Sequence, residues 1–581
     1  LGSVSGEGNE YVVVGDHALM HDDFVGEDGE VKVRVYGDLS VLTDLSEPGR
    51  DVEFDVRGDL KIEGKITARH LKVVAVTSDQ TVEFDDLNVE SLELVMPDAT
   101  VIVKTDKDAS GLVIRGAEVG SLKVETVKGD IEIDGEIKAT GDVEIIAAGA
   151  ISGGGLVSAT GLSLTAVGGI DVDTAVGTIS AVTTGAGTIV IEESDGVELK
   201  SVVASDGSIS VSAGGAMVAT RVESTTNSAG NDVTLETSAG GVQLVRVSAG
   251  ELGDVRVSGT GDIEVSEGIE GDIVRVVSSG GMISGVGVIS AGELKLTAQS
   301  GIGEASEACE FISESYEFRD ENVSMWLTLL DGSNEVVSSH SILAYISGNK
   351  VQLDGDSKLS NGSGWSFVVH EGEYEGESVD DLGGPSGTDG EVKQLELVSP
   401  LSSRAGNLEA EVKGAGGIYL KEYDAVTLKR VLSQDGDIEV YGVGEVRATH
   451  VEAEVSGKIQ ILSGGDIKVD YIRTGGVDAA TGKVWLATAS DGEISEGTPD
   501  ADVDIEAYEV ELQDGQGKAT TLKVQRESGE VGDSWKTKTP DNWKPFHNEI
   551  LGTVSGEGNE YVVAGDHALM HDDFVGEDGE V

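Results

Sequence analysis

The sequence has almost none of the features that hold small secreted domains or membrane proteins together. One cysteine, Cys309, among 581 residues excludes a disulfide framework, so cohesion must come from packing and backbone hydrogen bonds. Prolines number only seven, aromatic residues make up 4%, and no apolar run approaches the ~20 residues that a membrane-spanning helix needs. We therefore predict no membrane insertion and interpret Cys309 as a small core residue.

Positive charge is also scarce. The chain has 40 Lys and Arg against 107 Asp and Glu, a net charge of −67. Such an excess repels phosphates and anionic membrane surfaces, so nucleic acid is not an expected partner. The acids alternate with regularly spaced Val, Ile and Leu, which argues for a folded chain and against intrinsic disorder. Mutual repulsion of the acids predicts that salt or divalent cations stabilise the fold.

Glycine is abundant, with 82 residues, and it marks regular corners between short strands. A Gly-Asp corner followed by alternating apolar residues recurs, at a local spacing of roughly ten to twelve residues where corners are densest. The segments are GDLSV at 37, GDLKI at 58, GDIEI at 129, GDVEI at 141, GDIEV at 261, GDIVR at 271, GDIEV at 436 and GDIKV at 465. Short strands without intervening helices fit a series of β-sandwiches or a parallel β-helix. Reuse of one corner chemistry favours the all-β parallel solenoid.

The two ends of the chain carry the same segment. Residues 1–31 and 551–581 differ only at Ser3/Thr553 and Val14/Ala564. This indicates a tandem repeat of 550 residues that continues beyond at least one end. Because neither an initiator Met nor a leader segment occurs at Leu1, we expect the start to be internal.

Composition divides the chain into zones. We predict a repeat-start segment at 1–36, a first β-solenoid at 37–308, an aromatic-richer insertion or broadened coils at 309–400, a second β-solenoid at 401–520, a junction at 521–550, and the start of the next repeat at 551–581. The junction combines aromatic and cationic residues, and we expect it to dock on the start segment of the following repeat. Its candidate contact residues are Trp535, Lys536, Lys538, Trp543 and Lys544.

Catalytic signatures are missing from the sequence. It has no HExxH, GxSxG, Walker or CxxC pattern, and adjacent acids such as Asp380 and Asp381 are expected by composition among 107 carboxylates. We therefore expect no enzyme. A polysaccharide-processing β-helix enzyme, whose carboxylates would line one face of a similar rod, is the catalytic alternative.

One acidic cluster could bind a metal ion. His17 and His21 precede Asp22, Asp23, Glu27, Asp28 and Glu30, and the cluster is repeated from His567 to Glu580. The five carboxylates are hard oxygen ligands of the kind that Ca²⁺ prefers, whereas the two histidines could bind zinc. Neither pattern is a complete binding motif, so an ordinary polar loop is the third interpretation. No other cofactor is expected.

The corner repeats, with GIGEASEACEFISESYEF at 301 and GAGGIYLKEYDAVTLKRVLSQDGDIEVYG at 414, resemble the filamentous-haemagglutinin-type repeats of giant bacterial surface proteins. The resemblance covers roughly residues 120–310 and 405–510. It implies a right-handed parallel β-helix, export to the cell surface and a rod-like role in adhesion or cell contact. Expected partners are neighbouring repeats, laterally associated copies or cell-surface glycans. A calcium-dependent surface-layer or sheath lattice is the alternative.

Overall fold

The structure is a computed structural model. It describes backbone and side chains for residues 31–76, 80–106, 110–304, 400–478, 480–488, 492–498, 503–512 and 522, and the backbone alone for further strands outside these ranges. Every helix or strand that it describes is a β-strand, and the strands form two compact units. One unit comprises residues 1–302 and 401–581, and the other comprises residues 303–400.

In the first part of the larger unit, the described residues form 26 strands. They are β1 (Ser3–Glu7), β2 (Glu10–Val14), β3 (His17–Leu19), β4 (Val31–Val35), β5 (Leu39–Val41), β6 (Leu45–Val56), β7 (Leu60–Ile62), β8 (Ile66–Ala75), β9 (Thr81–Thr105), β10 (Gly111–Glu125), β11 (Asp130–Ile133), β12 (Ile137–Ala139), β13 (Val143–Ala147), β14 (Ile151–Ala166), β15 (Ile170–Ala186), β16 (Ile189–Glu193), β17 (Val197–Asp206), β18 (Ile209–Ala213), β19 (Met217–Ser224), β20 (Val233–Thr237), β21 (Val242–Ser248), β22 (Val255–Gly259), β23 (Ile263–Ser278), β24 (Met282–Ser284), β25 (Val288–Ala298) and β26 (Gly301–Ile302).

Where the structure describes the chain, six strands follow in the smaller unit and sixteen more belong to the second part of the larger one. The six are β27 (Glu304–Ile312), β28 (Trp326–Leu330), β29 (Val336–Ser347), β30 (Lys350–Leu353), β31 (Gly362–His370) and β32 (Ser386–Ser399). The sixteen are β33 (Leu401–Ala415), β34 (Ile418–Glu422), β35 (Val426–Asp435), β36 (Ile438–Gly442), β37 (Val446–Ala448), β38 (Val451–Ala453), β39 (Ile459–Ser463), β40 (Ile467–Val469), β41 (Ile472–Thr474), β42 (Lys483–Thr488), β43 (Ile494–Glu496), β44 (Ile505–Glu506), β45 (Glu509–Gln513), β46 (Val524–Gln525), β47 (Thr553–Glu557) and β48 (Glu560–Ala564).

The larger unit is a parallel β-solenoid of about 17 turns. Strands of successive turns pair in parallel, so that Ile170 pairs with Ile189 and Ile189 with Ile209. Burial alternates along each strand, and in β18 Ile209, Val211 and Ala213 point inward between exposed serines. The stacked inward residues form one continuous core of Val, Ile, Leu and Ala. The prediction of an all-β parallel solenoid is confirmed.

The Gly-Asp corners fix each turn to the one before or after it. The Asp130 carboxylate accepts a hydrogen bond of 2.7 Å from the backbone N–H of Ala150, and Asp262 accepts the corresponding bond from Met282 at 2.9 Å. Glycine is required at this corner for a separate reason. Gly129 has φ +73°, and a Cβ there would lie 1.8 Å from the carbonyl oxygen of Ser110. The recurring dipeptide is therefore an inter-turn contact as well as a bend.

The smaller unit is a closed antiparallel barrel with strand order β27-β30-β29-β28-β31-β32. Cys309 lies in β27, and its side chain is outside the described residues. The solenoid pairing continues across this insertion, because Ile289 of β25 pairs with Ser403 of β33 and Leu294 pairs with Leu408. The chain leaves the solenoid after Ile302 and resumes it at Leu401 without loss of register.

The repeated start segment forms the same hairpin in both copies. β1 pairs antiparallel with β2, and β47 pairs antiparallel with β48 in the identical register. Ser3 is the partner of Val14, and Thr553 is the partner of Ala564. The only two positions that differ between the copies therefore lie opposite each other.

Candidate functional site

A groove of about 480 Å³ crosses several turns of the solenoid, beside the first residues of β15 and the last residues of β16, β18, β20 and β22. Each turn contributes one outward side chain to it, in register from strand to strand. These side chains are Asp173, Glu192, Ser212, Glu236 and Ser258. No Lys or Arg lines the groove, so its surface combines carboxylates with hydroxyls.

Glu193 lies in the wall of this groove, at a corner of the solenoid, and is only 4% exposed. One carboxylate oxygen accepts hydrogen bonds from the Thr174 hydroxyl at 2.8 Å and the Val176 N–H at 3.1 Å. The other accepts the Asp195 N–H at 3.2 Å. Burial raises the pKa of the Glu193 carboxyl above its usual value, and these hydrogen bonds oppose the rise. The residue ties its own corner to the preceding turn.

Glu422 repeats this arrangement far along the chain. Its carboxylate accepts bonds from the Ser403 hydroxyl at 2.8 Å and the Ala405 N–H at 2.9 Å, both on the preceding turn. The Asp424 N–H donates to it at 3.3 Å. Glu422 is only 1% exposed, and this burial raises its pKa to about 7. Both corners share the pattern E-x-D-x-V-x-L-K-x-V, which begins at 193 and at 422.

The buried carboxylates of Glu193 and Glu422 each hold a corner of one turn to the preceding turn, and we call them corner clamps. Donors already occupy both oxygens of Glu193 and of Glu422, and each clamp joins two turns through a hydroxyl and a backbone N–H. Two acids of the groove, the half-buried Asp173 and the exposed Glu192, are direct cross-strand neighbours of like charge. The groove therefore attracts cations or hydroxyl-rich molecules and repels anions.

Elsewhere on the solenoid, cations lie between acids of adjacent turns. Such pairs include Lys32 with Glu53 at 2.6 Å, Lys72 with Glu93 at 2.7 Å, Lys123 with Glu144 at 2.8 Å, Lys468 with Glu445 at 2.7 Å and Lys483 with Glu511 at 2.7 Å. All are at least partly exposed, so solvent screening keeps the contribution of each pair to stability small. They reduce local repulsion between stacked acids.

The residues singled out from sequence fall outside the part of the chain that the structure describes. This applies to the carboxylates Asp22, Asp23, Glu27, Asp28 and Glu30 and to the junction residues Trp535, Lys536, Lys538, Trp543 and Lys544. Within the described ranges, no group of three or more His, Cys, Asp and Glu side chains could hold a metal ion. The calcium site and the junction contact stay predictions.

The groove and the two corner clamps were missed by sequence reasoning. The shared pattern at 193 and 422 was a usable signal, because a glutamate there replaces the serine or threonine of the preceding turn.

Among the described residues, no helix is long and apolar enough to cross a membrane. Comparison with protein-family models, with curated proteins and with solved structures gave no match to this chain.

Proposed function

We propose that this chain is one non-catalytic structural repeat, with the start of the next, of a long extracellular surface fibre that acts in adhesion or cell contact. The observation that carries the proposal is the start hairpin, which recurs 550 residues later in the same register with a paired substitution. A segment that re-forms the same local structure at a fixed period belongs to a tandem array. The resemblance to filamentous-haemagglutinin-type repeats supports the extracellular location.

The solenoid is suited to building a long fibre that extends from the cell surface. About 17 turns, at ~4.8 Å per turn, give each repeat a stack of about 80 Å. Each turn contacts only its neighbours, so adding repeats lengthens the array without requiring a new kind of contact. Neighbouring repeats of the same chain are the first partners in this proposal.

The groove is the surface through which we propose that the fibre binds glycans. Its serines can donate hydrogen bonds and its carboxylates can accept them, once per turn along the solenoid axis. A glycan chain that is uncharged or carries amino groups fits this surface, and a polyanionic glycan does not. The regular spacing of ~4.8 Å is of the same order as the rise per sugar in an extended glycan chain.

The experiment compares proteins that contain one and two tandem copies of residues 1–550. Electron microscopy and small-angle scattering should show that the second copy adds a fixed increment of contour length. Antibodies against the solenoid should also label intact cells of the source organism at a distance from the envelope. Labelling that requires permeabilised cells, or a two-copy protein no longer than one copy, would contradict the proposal.

A further inference from the structure

The corner clamp at Glu422 carries a cationic and aromatic surface. The guanidinium carbon of Arg404 lies 5.3 Å from the centre of the Tyr423 ring, and Lys421 Nζ lies 4.8 Å from it. Both distances are within the range of a cation–π contact. Arg404 is exposed, and the other two residues are half-buried. We call Arg404, Lys421 and Tyr423 the cationic corner.

The two cations of the cationic corner have no carboxylate partner. Other cations of the solenoid lie against acids of adjacent turns, as Lys468 does with Glu445 at 2.7 Å. Among the residues that the structure describes, neither Arg404 nor Lys421 forms such an ion pair. A contact with the ring leaves the N–H donors of both side chains free to bind an anion from solution.

The Glu422 clamp fixes the backbone of the cationic corner. Arg404 lies between Ser403 and Ala405, and both of these neighbours donate hydrogen bonds to the Glu422 carboxylate, at 2.8 and 2.9 Å. The other two residues of the cationic corner lie directly on either side of Glu422 in sequence. The three side chains therefore extend from backbone that is held across two turns, which lowers the entropy cost of binding a ligand.

The first corner clamp has the same backbone contacts and a different surface. Around Glu193, donors occupy the same positions as around the second clamp, so the residues that correspond to the cationic corner are Ala175, Glu192 and Ser194. Lys421 thus stands where the acidic groove has Glu192. The same corner of the solenoid carries an acid in one place and cations with an aromatic ring in the other, so the second corner is suited to an anionic ligand.

We infer that the cationic corner binds the carboxylate of an acidic sugar in a glycan chain. A carboxylate can accept hydrogen bonds from the planar Arg404 guanidinium and from the Lys421 ammonium at the same time. The Tyr423 ring offers an apolar contact to the C–H groups of the sugar. This inference does not rest on the groove, whose acids repel such a ligand.

A second copy of the chain is the other source of carboxylates. Each copy brings a net charge of −67, whereas a short acidic oligosaccharide brings a few charges. At physiological ionic strength, charges interact strongly only within ~8 Å. A thin ligand at the cationic corner therefore meets few acids of the protein, whereas a second solenoid would meet many along its length. The charge balance favours the glycan.

Isothermal titration calorimetry of the full-length chain with a galacturonic acid oligosaccharide tests the inference. The methyl ester of the same oligosaccharide is the matched ligand, because it keeps the sugar and removes the charge. The parent chain should bind the acid and not the ester. Arg404→Gln and Lys421→Gln should each weaken binding of the acid at least tenfold.

Arg256→Gln is the matched protein control, because Arg256 is also exposed and has no carboxylate partner among the described residues. It should bind the acid as the parent does, and so should Glu192→Gln in the groove. Lys421→Arg keeps the charge and should retain most of the binding that Lys421→Gln loses. Urea denaturation should show that all of these variants keep the stability of the parent.

The inference is overturned if the acid does not bind, if the ester binds equally well, or if Arg256→Gln weakens binding as much as Arg404→Gln does. Sedimentation velocity tests the other source of carboxylates. Self-association of the parent that Arg404→Gln abolishes, without binding of the oligosaccharide, would assign the cationic corner to a contact between copies and would also overturn the inference.

Discussion

Corner residues decide how closely one turn of the solenoid can follow the next. Gly129 combines a left-handed backbone conformation with direct contact against the carbonyl of Ser110. Asp130 then accepts an N–H from the next turn. The sequence predicted a corner at every Gly-Asp pair, but the inter-turn bond of the aspartate depends on residues about twenty positions apart, which a local pattern does not contain.

Gly129→Ala should destabilise the solenoid by more than about 2 kcal/mol, because the residue would need a positive φ and its Cβ would overlap backbone of the preceding turn. Gly154→Ala is the matched control, since a Cβ there meets nothing within 4 Å, and it should be neutral or slightly stabilising. Urea denaturation of both variants measures the difference. Equal midpoints would show that the corner tolerates a side chain.

The buried clamp at Glu422 should make stability depend on pH. Its folded pKa is raised to about 7 from an ordinary value of 4.5, so the folded state binds the proton more tightly than the unfolded state. The contribution is fully favourable below about pH 4.5 and is lost as the pH rises through about 7. At ~1.4 kcal/mol per pKa unit, the loss amounts to at most about 3 kcal/mol.

Glu422→Gln should therefore flatten the stability profile between pH 4.5 and 7. The amide oxygen can still accept the two backbone N–H groups, and the amide nitrogen can donate to the Ser403 hydroxyl. Glu454→Gln, at an exposed position, is the control. Denaturant midpoints across this range provide the measurement, and an unchanged slope in Glu422→Gln would rule out the clamp as its cause. Glu193 should act in the same direction.

At the scale of strands, the solenoid tolerates a large interruption. β25 and β33 pair along ten positions although the whole barrel unit lies between them in sequence. Composition alone left two alternatives for residues 309–400, an insertion or broadened coils. It could not choose between them, because a closed barrel is defined by antiparallel pairing between distant strands such as β27 and β32.

Replacing residues 303–400 with a Gly-Ser linker of about four residues should leave the solenoid folded, since the pairing of Leu294 with Leu408 needs no residue of the barrel. Hydrogen exchange should show β25 and β33 as protected as in the parent chain. As a comparison, the same linker placed in β18 should disrupt the adjacent turns. Loss of protection in β25 after removal of the barrel would contradict the expectation.

The large negative charge affects the stability of the whole molecule. The net charge of −67 and stacked acids such as Asp173 and Glu192 predict that NaCl raises the melting temperature by a few degrees through screening. Melts in chelator, CaCl₂ and NaCl at matched ionic strength separate screening from binding. A further rise with Ca²⁺ that Asp22→Asn and Asp23→Asn abolish would indicate a site in the start segment. Identical midpoints in all three would contradict both ideas.

Sequence reasoning worked best for features that repeat. Parallel stacking and the period of 550 residues follow from patterns that recur along the chain. The groove was not predictable, because its outward residues are far apart in sequence and become neighbours only through the register of five strands.

We expect the start hairpin to act as a folding origin in each repeat. β1 and β2 pair although only two residues separate them in sequence, and hairpins form within about 1 to 10 μs. The first turn of an isolated parallel solenoid, in contrast, has no edge on which to grow. β2 supplies that edge to β4, and each completed turn supplies the next. Nucleation thus recurs once per repeat, so the folding time of an array should stay nearly constant as repeats are added.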